Sequence, residues 1–133
     1  MDNLYRNLFE QAKKVCENSY SPYSAFPVGA CVLYESKNAY TGCNVENASY
    51  GLSICAERNA IASAVSQGET SKITAIAIYS PKQKRCMPCG ACRQWICEFA
   101  LNGETKIIFE NSKGEIETLT LEEIFPYSFK LDE

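Results

Sequence analysis

Two short cysteine-containing segments hold the side chains of this chain that are best suited to chemistry. The first is Cys55-Ala56-Glu57-Arg58, and the second is Pro88-Cys89-Gly90-Ala91-Cys92-Arg93-Gln94. Three thiolates brought together can bind Zn²⁺ and leave its fourth coordination position open for water, as in a catalytic zinc site. A glutamate two residues from such a ligand is placed to act as a general base toward that water.

The cysteines matter more because the 133-residue chain has eight of them and no histidine. Without histidine, Ser-His-Asp and Cys-His nucleophiles are excluded, and the available zinc ligands are thiolates and carboxylates. Zinc with three thiolates carries a net negative charge, so it lowers the pKa of bound water less than zinc with three neutral imidazoles. A nearby cation should offset that charge. Arg58 is the candidate because it follows Cys55 within one helical turn.

Both segments lie where the hydrophobic pattern predicts the first turn of a helix, over residues 54–66 and 89–101. Unpaired backbone N–H groups and the helix dipole favour negative charge at that position, so a thiol there ionises more readily. The residues between the segments can form a helix, a strand and a loop. These elements are enough to bring the two helix starts together.

The rest of the chain predicts the elements that must position these segments. We expect an amphipathic helix over 3–18 and a short helix over 121–125, with strands over 28–35, 39–43, 72–79, 105–109 and 116–120. One helix and two strands followed by alternating helices and strands are typical of an α/β sandwich around one mixed sheet. At this length we expect one domain, covering residues 1–133.

Net charge and the absence of targeting signals limit the classes of partner that we expect for this chain. Thirteen Lys and Arg against sixteen Asp and Glu give a net charge of −3, with the positive side chains scattered, so we expect no nucleic-acid partner. The N-terminal segment lacks the features of a signal peptide, and no apolar run reaches the roughly 18 residues of a membrane span. We therefore predict a cytoplasmic protein with no membrane partner. Its cysteines would then serve metal binding or chemistry rather than disulfides.

The two cysteine segments, read in order, resemble those of the cytidine deaminases. A first ligand, one residue, a glutamate and then P-C-x-x-C form the pattern of the zinc nucleobase deaminases, in which three cysteines are an allowed ligand set. The resemblance extends to SPYSAFPVGA at 21–30, TGCNVENASYG at 41–51, ICAERNAI at 54–61 and a closing P-x-x-F at 126–129. The chain is most similar to the small homotetrameric, all-cysteine type. This implies a three-layer α/β/α sandwich around a mixed five-stranded sheet.

The resemblance also implies an activity and a set of site residues. The reaction is the hydrolytic deamination of cytidine and deoxycytidine to uridine and deoxyuridine, a step of pyrimidine salvage. One Zn²⁺ per chain would be held by Cys55, Cys89 and Cys92; hydroxide on the zinc would attack C4 while Glu57 shuttles protons. The implied substrate contacts are Phe26 at the base, Asn44, Val45 and Glu46 at the ribose, the Ala56 backbone at the pyrimidine, Tyr50 near a subunit contact and Phe129 from a neighbouring subunit.

The other five cysteines leave alternatives open. Cys86, Cys89 and Cys92 have the spacing of part of an iron–sulfur run, but Cys97 falls one position too late and no proline follows it. Cys86 could also close a four-cysteine structural zinc site, which would not need Glu57, but we expect it to be a surplus residue with no ligand role. We expect the remaining four to behave as small apolar core residues: Cys16, Cys31, Cys43 and Cys97.

Two alternatives to the main function also stay open. A deaminase of the same fold could act on another aminopyrimidine nucleoside, such as a cytosine-bearing antibiotic, because only the pocket would differ. A non-catalytic zinc module could use the same cysteines for an interaction domain. Within the main hypothesis, the charge of Glu46 would repel a 5′-phosphate placed near it, which favours a free nucleoside over a nucleotide. Asn44 could also be a turn residue and nothing more.

Overall fold

The computed structural model describes residues 2–131, and the predicted elements appear in the predicted order. The helices are α1 Asp2–Cys16, α2 Ala56–Ser66, α3 Gly90–Phe99 and α4 Leu121–Ile124. The strands are β1 Gly29–Tyr34, β2 Ala39–Cys43, β3 Ile73–Tyr79, β4 Lys106–Glu110 and β5 Ile116–Thr120. Within the predicted polar loop, Tyr50–Leu52 form a short 3₁₀ turn. Among residues 2–131, no helix is both long and apolar enough to cross a membrane.

The strands form one mixed sheet in the order β2-β1-β3-β4-β5. Strand β1 pairs antiparallel with β2 on one side and with the central strand β3 on the other. Strands β3 and β4 are parallel, and β4 and β5 are antiparallel. A parallel pair needs a crossover connection, and α3 supplies it between β3 and β4. The mixed five-stranded sheet that the resemblance implies is therefore confirmed.

Helices cover both faces of the sheet. On one face α1 buries Leu8, Phe9 and Ala12 against the strand residues Cys31, Leu33, Ala75, Ala77 and Ile108. On the other face the apolar side chains of α2 and α3 pack on alternate strand residues, among them Ala30, Val32, Ile76, Ile78 and Ile107. Because successive side chains of a strand point to opposite faces, each strand serves both layers. The three-layer α/β/α sandwich is confirmed.

A close approach between α2 and β2 places the start of α2 beside the loop that follows β2. A Cβ built at Gly42 would lie 2.3 Å from the backbone nitrogen of Ala60, so only glycine allows this spacing. At the preceding residue of α2, the Asn59 side-chain amide donates to the carbonyl oxygen of Cys43 at 2.8 Å. These two contacts bring Cys55 at the start of α2 toward residues 44–46.

Glu69 joins the loop after α2 to the β1–β2 hairpin, away from the cysteine cluster. Its carboxylate accepts hydrogen bonds from the hydroxyls of Ser71 at 2.6 Å, Tyr40 at 2.8 Å and Ser36 at 2.9 Å. These bonds, that of Ser71 first, lower the pKa of Glu69 to about 2 from an ordinary value of 4.5. A carboxylate with a depressed pKa stabilises the fold above its unfolded pKa, and this stabilisation is lost as pH falls through the folded value.

We therefore expect Glu69→Gln to lower the thermal midpoint at neutral pH. As pH falls from about 4.5 toward 2, the wild-type midpoint should approach that of the variant, since the wild type then loses the charge that the variant never had. Thermal unfolding across this range measures the effect. Glu104→Gln, at another exposed carboxylate, is the matched control. A gap between wild type and Glu69→Gln that is independent of pH would contradict the prediction.

Candidate active site

Three cysteine sulfurs meet where α2 and α3 begin. Cys55 is the N-cap residue of α2, Cys89 is the N-cap residue of α3, and Cys92 is buried in the first turn of α3. The three Sγ atoms lie within 4.8 Å of one another, and those of Cys55 and Cys89 are 4.0 Å apart. Tetrahedral zinc with Zn–S bonds of about 2.3 Å requires sulfurs about 3.8 Å apart. The donor set and its spacing therefore fit one zinc ion with an open fourth position.

Arg58 brings positive charge to this cluster. Its Nη2 donates a hydrogen bond to Cys55 Sγ at 3.3 Å. The hydrogen bond from the Cys92 thiol, with help from Arg58, lowers the pKa of Cys55 to about 5. The pKa of Cys92 is raised instead, first by that same hydrogen bond and then by burial. Cys55 therefore ionises before Cys92, and the Arg58 guanidinium faces its sulfur.

Glu57 lies in the first turn of α2, and only 4% of its surface is exposed. Burial raises the pKa of this carboxyl to about 7. A group that titrates near neutral pH can both accept and donate a proton under working conditions. Glu57 also lines the same cavity as Cys55 and Cys89. The arrangement therefore places an acid–base group in the cavity onto which two of the three cysteines face.

The cavity has a volume of about 340 Å³, which is within the range of small-molecule sites. Seven of the predicted site residues line it: Phe26, Asn44, Glu46, Cys55, Ala56, Glu57 and Cys89. Five further residues complete its wall: Ser24, Val28, Gln83, Cys86 and Met87. Residues from four separate segments of the chain therefore converge on one site.

The Asn44 side chain holds the loop that carries Phe26. Its Oδ1 accepts hydrogen bonds from the Val28 N–H at 2.9 Å and from the Ser19 hydroxyl. Its Nδ2 donates to the Phe26 carbonyl oxygen at 2.9 Å. An amide nitrogen has two protons, so one N–H of Asn44 stays available to a ligand. Asn44 therefore has a structural role in the loop, and it still has a free donor for the cavity.

The Glu46 carboxylate is also fixed by hydrogen bonds to both of its oxygens. One carboxylate oxygen accepts from the backbone N–H groups of Tyr23 at 3.0 Å and Ser24 at 3.1 Å. The other oxygen accepts from the Ser24 hydroxyl. These bonds, the hydroxyl first, lower the pKa of Glu46. The carboxylate therefore stays ionised at the edge of the cavity.

Three other predicted site residues are not brought into this cavity. Val45, Tyr50 and Phe129 expose 46%, 75% and 68% of their surface. The ring of Tyr50 packs edge-on against Tyr23 at 6.0 Å between centroids. The carbonyl oxygen of Phe129 accepts from the Gln94 side chain at 3.2 Å, which attaches the tail to α3. Within one chain, these side chains remain open to other contacts.

Cys86 belongs to the wall of the cavity rather than to the sulfur cluster. It is buried, with 8% of its surface exposed, and is part of the apolar core beneath α2 and α3. Across residues 2–131, the group of potential ligands contains Cys55, Cys89 and Cys92 without it. The other wall residues that sequence reasoning missed have no metal-ligand or catalytic pattern. Ser24 and Val28 had a signal, since both fall within SPYSAFPVGA at 21–30.

Comparison with known proteins decides the family. Residues 2–109 match the cytidine and deoxycytidylate deaminase zinc-binding region. A cytidine deaminase of Sporosarcina psychrophila is 43% identical over 126 residues, which cover 95% of this chain and 91% of that protein. This chain belongs to the cytidine deaminase family. The resemblance read from the sequence is therefore confirmed, and the family's zinc-binding region agrees with one zinc at the three cysteines.

Solved structures of the family agree with the fold. The cytidine deaminase of Burkholderia pseudomallei superposes with a TM-score of 0.84 at 37% identity, covering 93% of this chain and 98% of that one. The cytidine deaminase of Mycobacterium tuberculosis superposes with a TM-score of 0.82 at 33% identity, covering 96% and 98%. The likeness spans nearly the full length of each protein. The sheet, its two helical layers and the elements around the site therefore belong to the family fold.

We expect Arg58→Ala to weaken zinc binding or turnover about 10- to 100-fold, the usual effect of losing a partner of a metal ligand. The variant removes the guanidinium that faces Cys55 Sγ, so the negative charge of the three sulfurs loses its compensating positive charge. Zinc competition with a chelator and kcat for cytidine measure the effect. Arg58→Lys should lose less, because it retains the charge. Unchanged zinc affinity and unchanged kinetics in Arg58→Ala would show that charge balance is not its role.

Proposed function

We propose that this chain, acting as a single domain over residues 1–133, deaminates cytidine and deoxycytidine by hydrolysis to give uridine and deoxyuridine for pyrimidine salvage. One observation carries the proposal: the buried carboxyl of Glu57 lies beside a three-sulfur cluster in a cavity of about 340 Å³. A purely structural zinc site does not need such a carboxyl. Family membership supplies the reaction class.

Glu57 moves the protons of the reaction. Zinc, when bound by Cys55, Cys89 and Cys92, supplies a Lewis acid that lowers the pKa of water. The Glu57 carboxylate accepts a proton from the attacking water and delivers it to N3 of the pyrimidine. The Glu57 carboxylate then takes the remaining proton from the hydroxyl now bonded to C4 and transfers it to the amino group, which leaves as ammonia while the C4 carbonyl forms. A pKa raised to about 7 by burial suits a group that must act in both directions.

The surrounding residues orient the nucleoside. Phe26 lies against the base, and the Ala56 backbone forms a hydrogen bond with the pyrimidine. The free N–H of Asn44 and the carboxylate of Glu46 bind ribose hydroxyls, with Val45 between them. Because Glu46 is ionised, a 5′-phosphate placed near it is repelled. The preferred substrate is therefore the free nucleoside.

The active form is a homotetramer in the cytoplasm, in which neighbouring chains complete each site. The support is the set of large apolar side chains that a single chain leaves exposed, among them Tyr50, Leu52, Phe129 and Leu131. Exposed apolar groups of this kind are typical of interaction surfaces. In this arrangement Phe129 reaches the site of a neighbour, and Tyr50 lies at a subunit contact. Sedimentation equilibrium measures the mass, and a monomer at assay concentration would overturn the proposal.

The experiment that tests the proposed activity combines metal analysis with an ultraviolet assay. The purified chain should hold one zinc and convert cytidine to uridine, and cytidine monophosphate should react more slowly. Equal or faster turnover of the nucleotide would refute the argument from Glu46. Turnover of a cytosine-bearing antibiotic nucleoside without turnover of cytidine would move the function to another aminopyrimidine. Zinc binding without turnover of either would indicate a non-catalytic module.

A further inference from the structure

The Ser24 hydroxyl connects two groups that face the cavity from different segments. It donates a hydrogen bond to one carboxylate oxygen of Glu46, which follows β2. It accepts a hydrogen bond from the backbone N–H of Phe26 at 3.0 Å. Ser24 also lines the cavity with both of these residues. A single hydroxyl therefore links the carboxylate at the ribose end to the segment that carries the aromatic ring.

The backbone turn around Ser24 also contributes hydrogen bonds to the Glu46 carboxylate. Ala25 has a φ of 55°, a left-handed conformation that is uncommon for a residue other than glycine. Its N–H closes a turn onto the Ser21 carbonyl oxygen at 3.0 Å. The turn directs the N–H groups of Tyr23 and Ser24 at the other carboxylate oxygen of Glu46. A residue keeps such an unfavourable backbone conformation only where the contacts around it hold it there, and this is often the case at functional sites.

We propose that Ser24 is a positioning residue, which fixes Glu46 for a substrate hydroxyl and sets the backbone that presents Phe26. A carboxylate oxygen has two lone pairs. The Ser24 hydroxyl occupies one on its oxygen and leaves the other free for the substrate. The inference rests on the proposed role of Glu46 at the ribose. It adds a residue that orients the ribose-binding group without itself contacting the reacting atoms.

The test compares Ser24→Ala with Ser24→Thr on two substrates. For cytidine, Ser24→Ala should raise KM about tenfold and change kcat less than about twofold, as expected from losing one hydrogen bond to a charged group. Ser24→Thr retains a hydroxyl and should restore the KM for cytidine. For 2′,3′-dideoxycytidine, which lacks the ribose hydroxyls concerned, Ser24→Ala should leave KM unchanged. Ser112→Ala, at an exposed serine between β4 and β5 that does not line the cavity, is the matched control.

The outcomes separate this proposal from the one on which it rests. An equal rise in KM for both substrates would mean a general change of the loop and would overturn the positioning role. An unchanged KM for cytidine in Ser24→Ala would overturn it as well. If the wild-type enzyme itself binds cytidine and dideoxycytidine equally well, the ribose role of Glu46 fails first, and the role of Ser24 fails with it. Because Ser24 is exposed, the variants should fold, and thermal unfolding checks this.

Discussion

Glu57→Gln should reduce kcat for cytidine by about 10³- to 10⁴-fold, within the range that general acid–base catalysis contributes. The amide has nearly the shape of the carboxyl, so zinc content and the thermal midpoint should be retained. It cannot accept a proton from water or deliver one to the pyrimidine. The side chain is 4% exposed, so bulk water has little access to replace it. Steady-state kinetics with metal analysis on the same preparation measure the effect.

A matched control for this variant is Glu98→Gln. Glu98 is an exposed carboxylate on α3, so its loss changes the net charge equally without touching the cavity. Its kcat should equal that of the wild type. If Glu57→Gln kept most of the turnover, another group would be the proton carrier and the proposed mechanism would be wrong. If neither the wild type nor the variant had turnover, a non-catalytic zinc module would be favoured.

Cys92→Ala should abolish both zinc binding and activity. The residue is fully buried at the first turn of α3, so no side chain from solvent can take its place. Two sulfurs cannot form the three-ligand set that a catalytic zinc site requires. Because zinc binds the folded chain in preference to the unfolded one, its loss should also lower the thermal midpoint. Metal analysis and thermal unfolding with and without a chelator measure both effects.

Cys86→Ala is the informative control for the metal. Cys86 and Cys92 are each three positions from Cys89, but only Cys92 has its sulfur in the cluster. The Cys86→Ala variant should retain one zinc per chain. Loss of zinc in this variant would support the closed four-cysteine site instead. Retention of a full zinc complement by Cys92→Ala would contradict the proposed ligand set.

The sequence pattern alone located both helix starts, with an error of two residues at one and one at the other. The prediction began the helices at residues 54 and 89, whereas α2 begins at Ala56 and α3 at Gly90. The reason is local: Cys55 and Cys89 are cap residues with extended backbone, although their carbonyls already accept the first helical bonds. Periodicity detects the buried face of a helix and is insensitive to a cap.

The wall of the cavity was less predictable, because it consists of loop residues. Gln83, Met87 and Val28 show no helical or strand periodicity that would single them out. They come together at the cavity only in the folded chain. Asn44 shows a further limit of the sequence. Its predicted alternatives were ligand or turn residue, and in the fold its amide bonds to the loop while one N–H remains free. The hydrogen count of this one side chain shows that the two roles can coexist.

The close contact of Gly42 with α2 restricts which residues this position of the chain can hold. The position lies on β2 and does not line the cavity, and a Cβ built there would lie 2.3 Å from the backbone nitrogen of Ala60. Even a methyl group there would push α2 outward and move Cys55 away from its two partner sulfurs. In a saturation mutagenesis scan scored by activity, Gly42 should therefore be as intolerant of substitution as a catalytic residue. The distance that assembles the metal site is set by the absence of a side chain.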